Sequence, residues 1–262
     1  MSRIGPGVLA AALAMACAPT VKYVDQVEGV NFPVKESLAL TGKLYRPEGA
    51  GPFPAVVLMH GCAGVSGDNS LEVSDLLRDA GYVAFLVDSF SRRHVSNVCN
   101  DPDTKSPTSI ERVEDAFAAR RYLSSLAFVD SSRIGLLGWS HGGRTALLTW
   151  DRNSAVSGTA PFAAIAAYYP LCTGAPSSGV PLLILIGESD DWCPAEWCKA
   201  LVDHATAVGI DASIMIYPGA THSFDGASTG TYLGHKLVRD AEAARDSRER
   251  LLAFFNRTMK QP

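Results

Sequence analysis

Positive charge is scarce and scattered in this chain. Lys and Arg number 23 against 27 Asp and Glu, for a formal net charge of −4, and no basic run stands out. Nucleic acid is thereby excluded as the main partner, because holding phosphates takes clustered cations. Long apolar runs are missing too: no stretch reaches the roughly 20 residues that a membrane-crossing helix needs. No internal repeat, linker or low-complexity tract divides the sequence. Charged residues make up 19% and hydrophobic ones 47%, a globular composition rather than a disordered one. A chain of 262 residues has room for one substantial core or two small ones.

The first twenty residues differ from the rest. Arg3 supplies a minimal positive region, Gly7 to Ala16 a short apolar one, and Ala14-Met15-Ala16 a small-x-small cleavage pattern. Together they read as a secretory signal, so residues 1–20 are set apart from a single domain over 21–262. The alternatives are an uncleaved extension of a cytoplasmic protein and a lipid anchor on Cys17, although Ala14 rather than Leu holds the third place before that cysteine.

Export, periplasmic or secreted, bears on Cys62, Cys99, Cys172, Cys193 and Cys198. An oxidising compartment favours pairing, and five is odd, so at least one stays free or pairs outside the set. Cys193-x4-Cys198 with His204 lacks the second close pair of ligands that a zinc site needs. Disulfides or buried thiols are therefore expected there rather than a metal.

From Val21 to Phe32 and from Val34 to Tyr45, apolar and polar residues alternate, which predicts two antiparallel strands. Six short, wholly apolar runs follow: Ala55–Met59, Tyr82–Val87, Ile134–Leu137, Ala163–Ala167, Pro181–Ile186 and Ser213–Tyr217. Strands apolar on both faces are what a parallel sheet covered on each side requires. Helical spacing fills the gaps. Asn69 with Glu72, and Thr108 with Glu111, have the spacing of capping boxes, and Ile110, Val113 and Phe117 share one face. Leu237, Ala241, Ala244, Leu251 and Phe255 mark a long closing helix.

Alternating strands and helices predict an α/β domain, with a doubly wound, mostly parallel sheet and helices on both faces. Residues 88–107 form a long polar loop, and such loops are often functional. About a dozen residues separate Ala167 from Pro181, too few for a large lid domain.

At the end of the Ile134 run stands Gly138-Trp139-Ser140-His141-Gly142, followed by a helical pattern. This is G-x-S-x-G in its strand–turn–helix setting, where a sharp turn lifts the serine hydroxyl above the carboxyl edge of the sheet. Such a hydroxyl needs a base, and the base an orienting acid, in the chain order Ser, Asp or Glu, His. His222 alone of six histidines sits where a strand-end base is expected, after Tyr217. Asp190 is the favoured acid because it comes first past its strand, with Asp191 and Glu188 as alternatives. The oxyanion of acyl transfer needs two backbone N–H donors. His141 supplies one and Cys62, in the turn after Met59, the other, with Gly61 making room. A disulfide from Cys62 to Cys99 would pin the long loop over the site.

These residues together resemble the dienelactone hydrolase family of α/β-hydrolases from about residue 30 onward. The likeness rests on His60-Gly61-Cys62, Asp88-Ser89-Phe90, Gly138 to Gly143, Ile186 to Trp192 and Tyr217-Pro218-Gly219-Ala220-x-His222-Ser223-Phe224. The resemblance implies the α/β-hydrolase fold, Ser140, Asp190 and His222 as a triad, and Cys62 and His141 as oxyanion donors. The chain departs from the family in having Ser140 where the nucleophile is a cysteine, and Gly61 where a glutamate stands. Arg92 matches the first of two substrate-carboxylate arginines, and Gly226 stands at the second.

The expected activity is hydrolysis of a small-molecule carboxylic ester or lactone through an acyl-enzyme, with no metal or organic cofactor. Arg92 or Arg93 would attract an anionic substrate, and Trp139 would floor the acyl pocket or pack beneath the elbow. A serine peptidase on the same scaffold and a non-catalytic exported binding protein are the alternatives. The sequence leaves the oligomeric state open.

Overall fold

The computed structural model describes residues 1, 27–65, 69–150, 158–174, 178–227 and 229–260. The expected leader and Cys17 lie outside the described residues.

An antiparallel pair comes first, β1 (Val27–Lys35) and β2 (Leu38–Tyr45). The alternation in sequence appears as alternating burial along β1. The break expected at Pro33 does not occur: β1 runs through it, and the chain turns at Glu36 and Ser37. Proline is tolerated because β1 is an edge strand, where the missing N–H costs no ladder bond.

The six apolar runs become six parallel strands, β3 (Phe53–Met59), β4 (Val83–Asp88), β5 (Val129–Trp139), β6 (Ile165–Tyr168), β7 (Leu182–Gly187) and β8 (Ala212–Tyr217). The eight strands form one sheet in the order β1-β2-β4-β3-β5-β6-β7-β8. Residues 55–59, 83–87 and 182–187 are buried without interruption, as a covered parallel sheet demands. Each such Val, Leu, Ile or Phe contributes about 1.5–3 kcal/mol of apolar burial.

Helices α1 (Ser70–Asp79), α2 (Glu111–Ser124), α3 (His141–Trp150), α4 (Ala195–Ala207) and α5 (Ala241–Met259) cover both faces. On one face α5 meets α1 through Arg248 and Glu72, 2.7 Å apart. The segment leading into α2 meets α3 through the Thr145 hydroxyl, which donates to the Ser109 carbonyl at 3.2 Å.

The capping box at Thr108 forms reciprocally, with Thr108 N–H donating to Glu111 Oε2 at 2.7 Å and Glu111 N–H to Thr108 Oγ1 at 3.3 Å. The one expected at Asn69 does not, because the Asn69 backbone (φ −83°, ψ 15°) lacks the extended geometry that aims a capping side chain. Leu237 also lies outside the closing helix. It belongs to a short hairpin, β9 (Gly230–Tyr232) and β10 (His235–Leu237), and α5 starts after Asp240, whose Oδ1 caps the N–H groups of Glu242 and Ala243.

Candidate active site

Ser140 follows β5 at φ +50°, in the left-handed region that a non-glycine residue occupies only under constraint. The constraint is local packing. A Cβ on Gly142 would sit 2.1 Å from the Met59 carbonyl oxygen, so only glycine lets α3 start this close to β3. Ser140 N–H donates to the Tyr168 carbonyl at 2.9 Å, and its own carbonyl accepts from Arg144 N–H at 2.8 Å, the first turn of α3.

Asp190 and His222 follow β7 and β8, which pair in parallel. Their loops stay together beyond the ladder, with Ser189 N–H donating to the Ala220 carbonyl at 2.9 Å. Gly187 permits that approach, since a Cβ there would lie 2.2 Å from Ala220 O. The result is an ordered chain of contacts. Asp190 Oδ2 accepts from His222 Nδ1–H at 2.8 Å, leaving Nε2 to accept from the Ser140 hydroxyl at 3.0 Å.

Asp190 Oδ1 accepts the N–H groups of Trp192 and Cys193 at 3.0 and 2.8 Å, so the carboxylate is fully engaged and buried. The alternatives face elsewhere: Asp191 pairs with His235 at 3.2 Å, and Glu188 accepts from Gly219 N–H at 3.0 Å.

Cys62 is joined to Cys99, and its carbonyl accepts from Val98 N–H at 2.9 Å, so the turn after β3 and the long loop are tied twice. A second disulfide joins Cys172 to Cys198, which removes Cys198 from any metal set, and leaves Cys193 a buried free thiol. Burial pushes that thiol well above its usual range. Both bonds require a non-reducing environment to persist.

Cavities of about 440 and about 410 Å³, open mouths included, meet at Ser140, Cys62 and Trp192. The first is polar at its far end, where Arg144 and Asp103 form an ion pair at 2.7 Å. Tyr169, Trp192, Tyr232 and Leu237 wall the second.

Arg92 lies in neither cavity; it donates to Asn31 Oδ1 at 2.7 Å on the edge strand. Arg93 is likewise engaged, with both terminal nitrogens on Asp115. Trp139 is completely buried, stacks on Tyr168 and donates through Nε1 to Asp225 Oδ2 at 3.3 Å. It packs beneath the elbow and also lines the floor of the second cavity, next to Ser140.

Sequence reasoning missed four residues around this chain of contacts. Asp225, buried three places after His222, also accepts from the Tyr169 hydroxyl at 2.8 Å, and the Tyr169 ring lies 4.6 Å from the His222 ring. Trp192 packs its ring 5.1 Å from the same imidazole and stacks on His235 at 4.3 Å. Arg112, wholly buried on α2, donates to the His60 carbonyl at 2.8 Å and to His141 Nδ1 at 2.7 Å. Burial, reinforced by that guanidinium, lowers His141 to about 3 and His60 well below the usual histidine range, so both imidazoles are neutral.

Residues 40–259 match the model of the dienelactone hydrolase family. A "Probable 2-oxo-3-(5-oxofuran-2-ylidene)propanoate lactonase" of Bradyrhizobium sp. is 30% identical over 216 residues, covering 76% of this chain and 80% of the relative. A "Putative carboxymethylenebutenolidase" of Methylorubrum extorquens is 24% identical over 246 residues, covering 86% and 79%. Among solved structures, a dienelactone hydrolase-like promiscuous phosphotriesterase from metagenomic libraries superposes with a TM-score of 0.71 at 22% identity, over 88% of this chain and 98% of that one. That likeness is one of fold.

Proposed function

The chain belongs to the dienelactone hydrolase family and is a carboxylic ester hydrolase, and from that premise we propose that it cleaves small esters or lactones through an acyl-serine. The observation that carries this reading is the unbroken run of contacts from Asp190 through His222 to Ser140, at 2.8 and 3.0 Å. Ser140 Oγ attacks the carbonyl carbon while its proton passes to His222 Nε2, and Asp190 holds the imidazole in the tautomer that can receive it. The oxyanion that forms is received by the N–H groups of Cys62 and His141. Collapse expels the alcohol oxygen, which takes the proton from Nε2. Water then attacks the acyl-serine by the same steps in reverse and releases the acid.

The two cavities meeting at Ser140 take the acyl group and the alcohol. The lactonase and carboxymethylenebutenolidase names of the relatives support lactones within that class. The two disulfides support an exported address, which fractionation of expressing cells and N-terminal sequencing of the mature chain would test.

The reaction is tested by fluorophosphonate labelling, together with a panel of p-nitrophenyl esters of increasing chain length, lactones and peptides. Wild type should be labelled at Ser140 and turn over esters or lactones. Ser140→Ala should stay unlabelled and lose at least about 10³-fold in kcat. Labelling elsewhere, or undiminished turnover by Ser140→Ala, overturns the reading.

A further inference from the structure

Helix α2 carries a permanent charge into the floor of the site. Arg112 is wholly buried, and its two terminal nitrogens serve different turns: Nη2 the His60 carbonyl at 2.8 Å, and Nη1 the Nδ1 of His141 at 2.7 Å. His60 stands two residues before Cys62, and His141 is the residue after Ser140. The β3–β5 ladder ends at the Met59–Gly138 pair. Beyond it the sheet does not set the distance between the two turns. The same guanidinium lies 5.3 Å from the centre of the Phe90 ring, at the root of the long loop.

Because Arg112 donates to Nδ1, the His141 proton sits on Nε2, from where it donates to the Pro102 carbonyl at 3.3 Å. His60 takes the opposite tautomer, with Nδ1–H donating to the Gly61 carbonyl at 2.7 Å and Nε2 accepting from Ser89 N–H at 3.3 Å. Two neutral histidines with complementary protons thus fasten the turns to the loops, and one arginine links the turns to each other.

We infer that Arg112 is a positioning residue for the proposed reaction: by gripping both turns it sets the spacing of the Cys62 and His141 N–H groups that receive the oxyanion. The inference rests on the acyl-serine reading. Side-chain chemistry explains the choice of residue. A guanidinium is a planar fork with donors at fixed angles, whereas an ammonium is a single flexible point. Burying the guanidinium charge is expensive, and the Asp115 carboxylate three residues along α2 attracts it and offsets part of that cost, without lying between the two turns that need this charge. Its presence makes sense beside a place where negative charge develops during the reaction, because a preorganised charge there acts most strongly in the transition state.

The test compares wild type, Ser140→Ala, Arg112→Gln and Arg112→Lys. It reads kcat and KM for p-nitrophenyl acetate, the urea unfolding midpoint, and the ¹⁵N spectrum of the histidine ring nitrogens. Arg112→Gln should stay folded, lose about 30-fold in kcat with KM within about threefold, and leave His141 as a mixture of tautomers. Arg112→Lys should keep the charge and still fall at least fivefold in kcat.

A folded Arg112→Gln within fivefold of wild-type kcat overturns the inference, as does a kcat loss matched by a rise in KM. Should Arg112→Gln not fold, Arg112→Lys decides by the same fivefold limit. Failure of the underlying reading looks different: wild type itself then shows no Ser140-dependent turnover.

Discussion

Cys62–Cys99 and Cys172–Cys198 span sequence separations of 37 and 26 residues. Chain entropy gives them nearly equal worth, about 3.8 and about 3.5 kcal/mol at 25 °C. Their surroundings are unlike. Cys62 and Cys99 both line the aromatic-walled cavity beside Ser140 and His222. Cys172 and Cys198 tie the segment after β6 to α4, and neither lines a cavity that meets Ser140. Loop length sets what a cross-link does for folding, whereas the position of its ends sets what it does for chemistry.

Stability should respond to both bonds alike. Cys62→Ser with Cys99→Ser, and Cys172→Ser with Cys198→Ser, should each lower unfolding free energy in urea by about 3–4 kcal/mol. A difference above about 1 kcal/mol would mean that strain or residual structure, not loop closure, governs one of them. Activity should separate the pairs. At a temperature where both remain folded, kcat/KM should fall about 50-fold for the first pair and stay within about threefold for the second. Equal losses would mean that the position of a disulfide relative to Ser140 is immaterial to turnover.

The His222 side of the cleft differs from both, because among the described residues no disulfide ends there. Asp225 fastens that side through hydrogen bonds to Trp139 and Tyr169. Asp225→Asn should therefore lower kcat about tenfold with little change in KM, and Tyr169→Phe, which removes one of those bonds, about threefold.

The smallest effect is on pH. His60 and His141 are held below the usual histidine range when folded. The unfolded chain therefore binds more protons, and stability falls as pH drops. Between pH 6.5 and 5.5 the loss should be about 1 kcal/mol per histidine. Asp115, raised by burial, acts in the opposite sense nearer the carboxylate range. Unfolding midpoints that do not change over that interval would show both imidazoles to be solvated.

What could be read from the sequence was whatever depends on local order along the chain. The apolar runs foretold the sheet, and the strand-end positions of Ser140 and His222 foretold their meeting, because a parallel sheet brings all its carboxyl ends to one rim. Asp190 was favoured over Asp191 because it comes first past the strand, and the turn does aim its carboxylate at His222, whereas the partner that draws Asp191 aside, His235, lies 44 residues away in sequence.

Arg112 stayed hidden because α2 buries nearly its whole circumference, Arg112 and Asp115 included, and an arginine amid Glu111, Glu114 and Asp115 reads as the solvated side of a helix. The contact of Arg92 with Asn31 could not be read from the sequence, because the β1–β2–β4 pairing rather than chain proximity brings the two together.

The buried Cys193 stands five residues before Cys198. While the fold is intact, its proton is held too tightly for it to react. Once heat or denaturant exposes it, the thiolate can attack the Cys198 sulfur, form a 193–198 bridge and release Cys172 as a thiolate. Thermal inactivation should therefore be irreversible above about pH 8, and a Cys193→Ala chain should recover on cooling where the wild type does not.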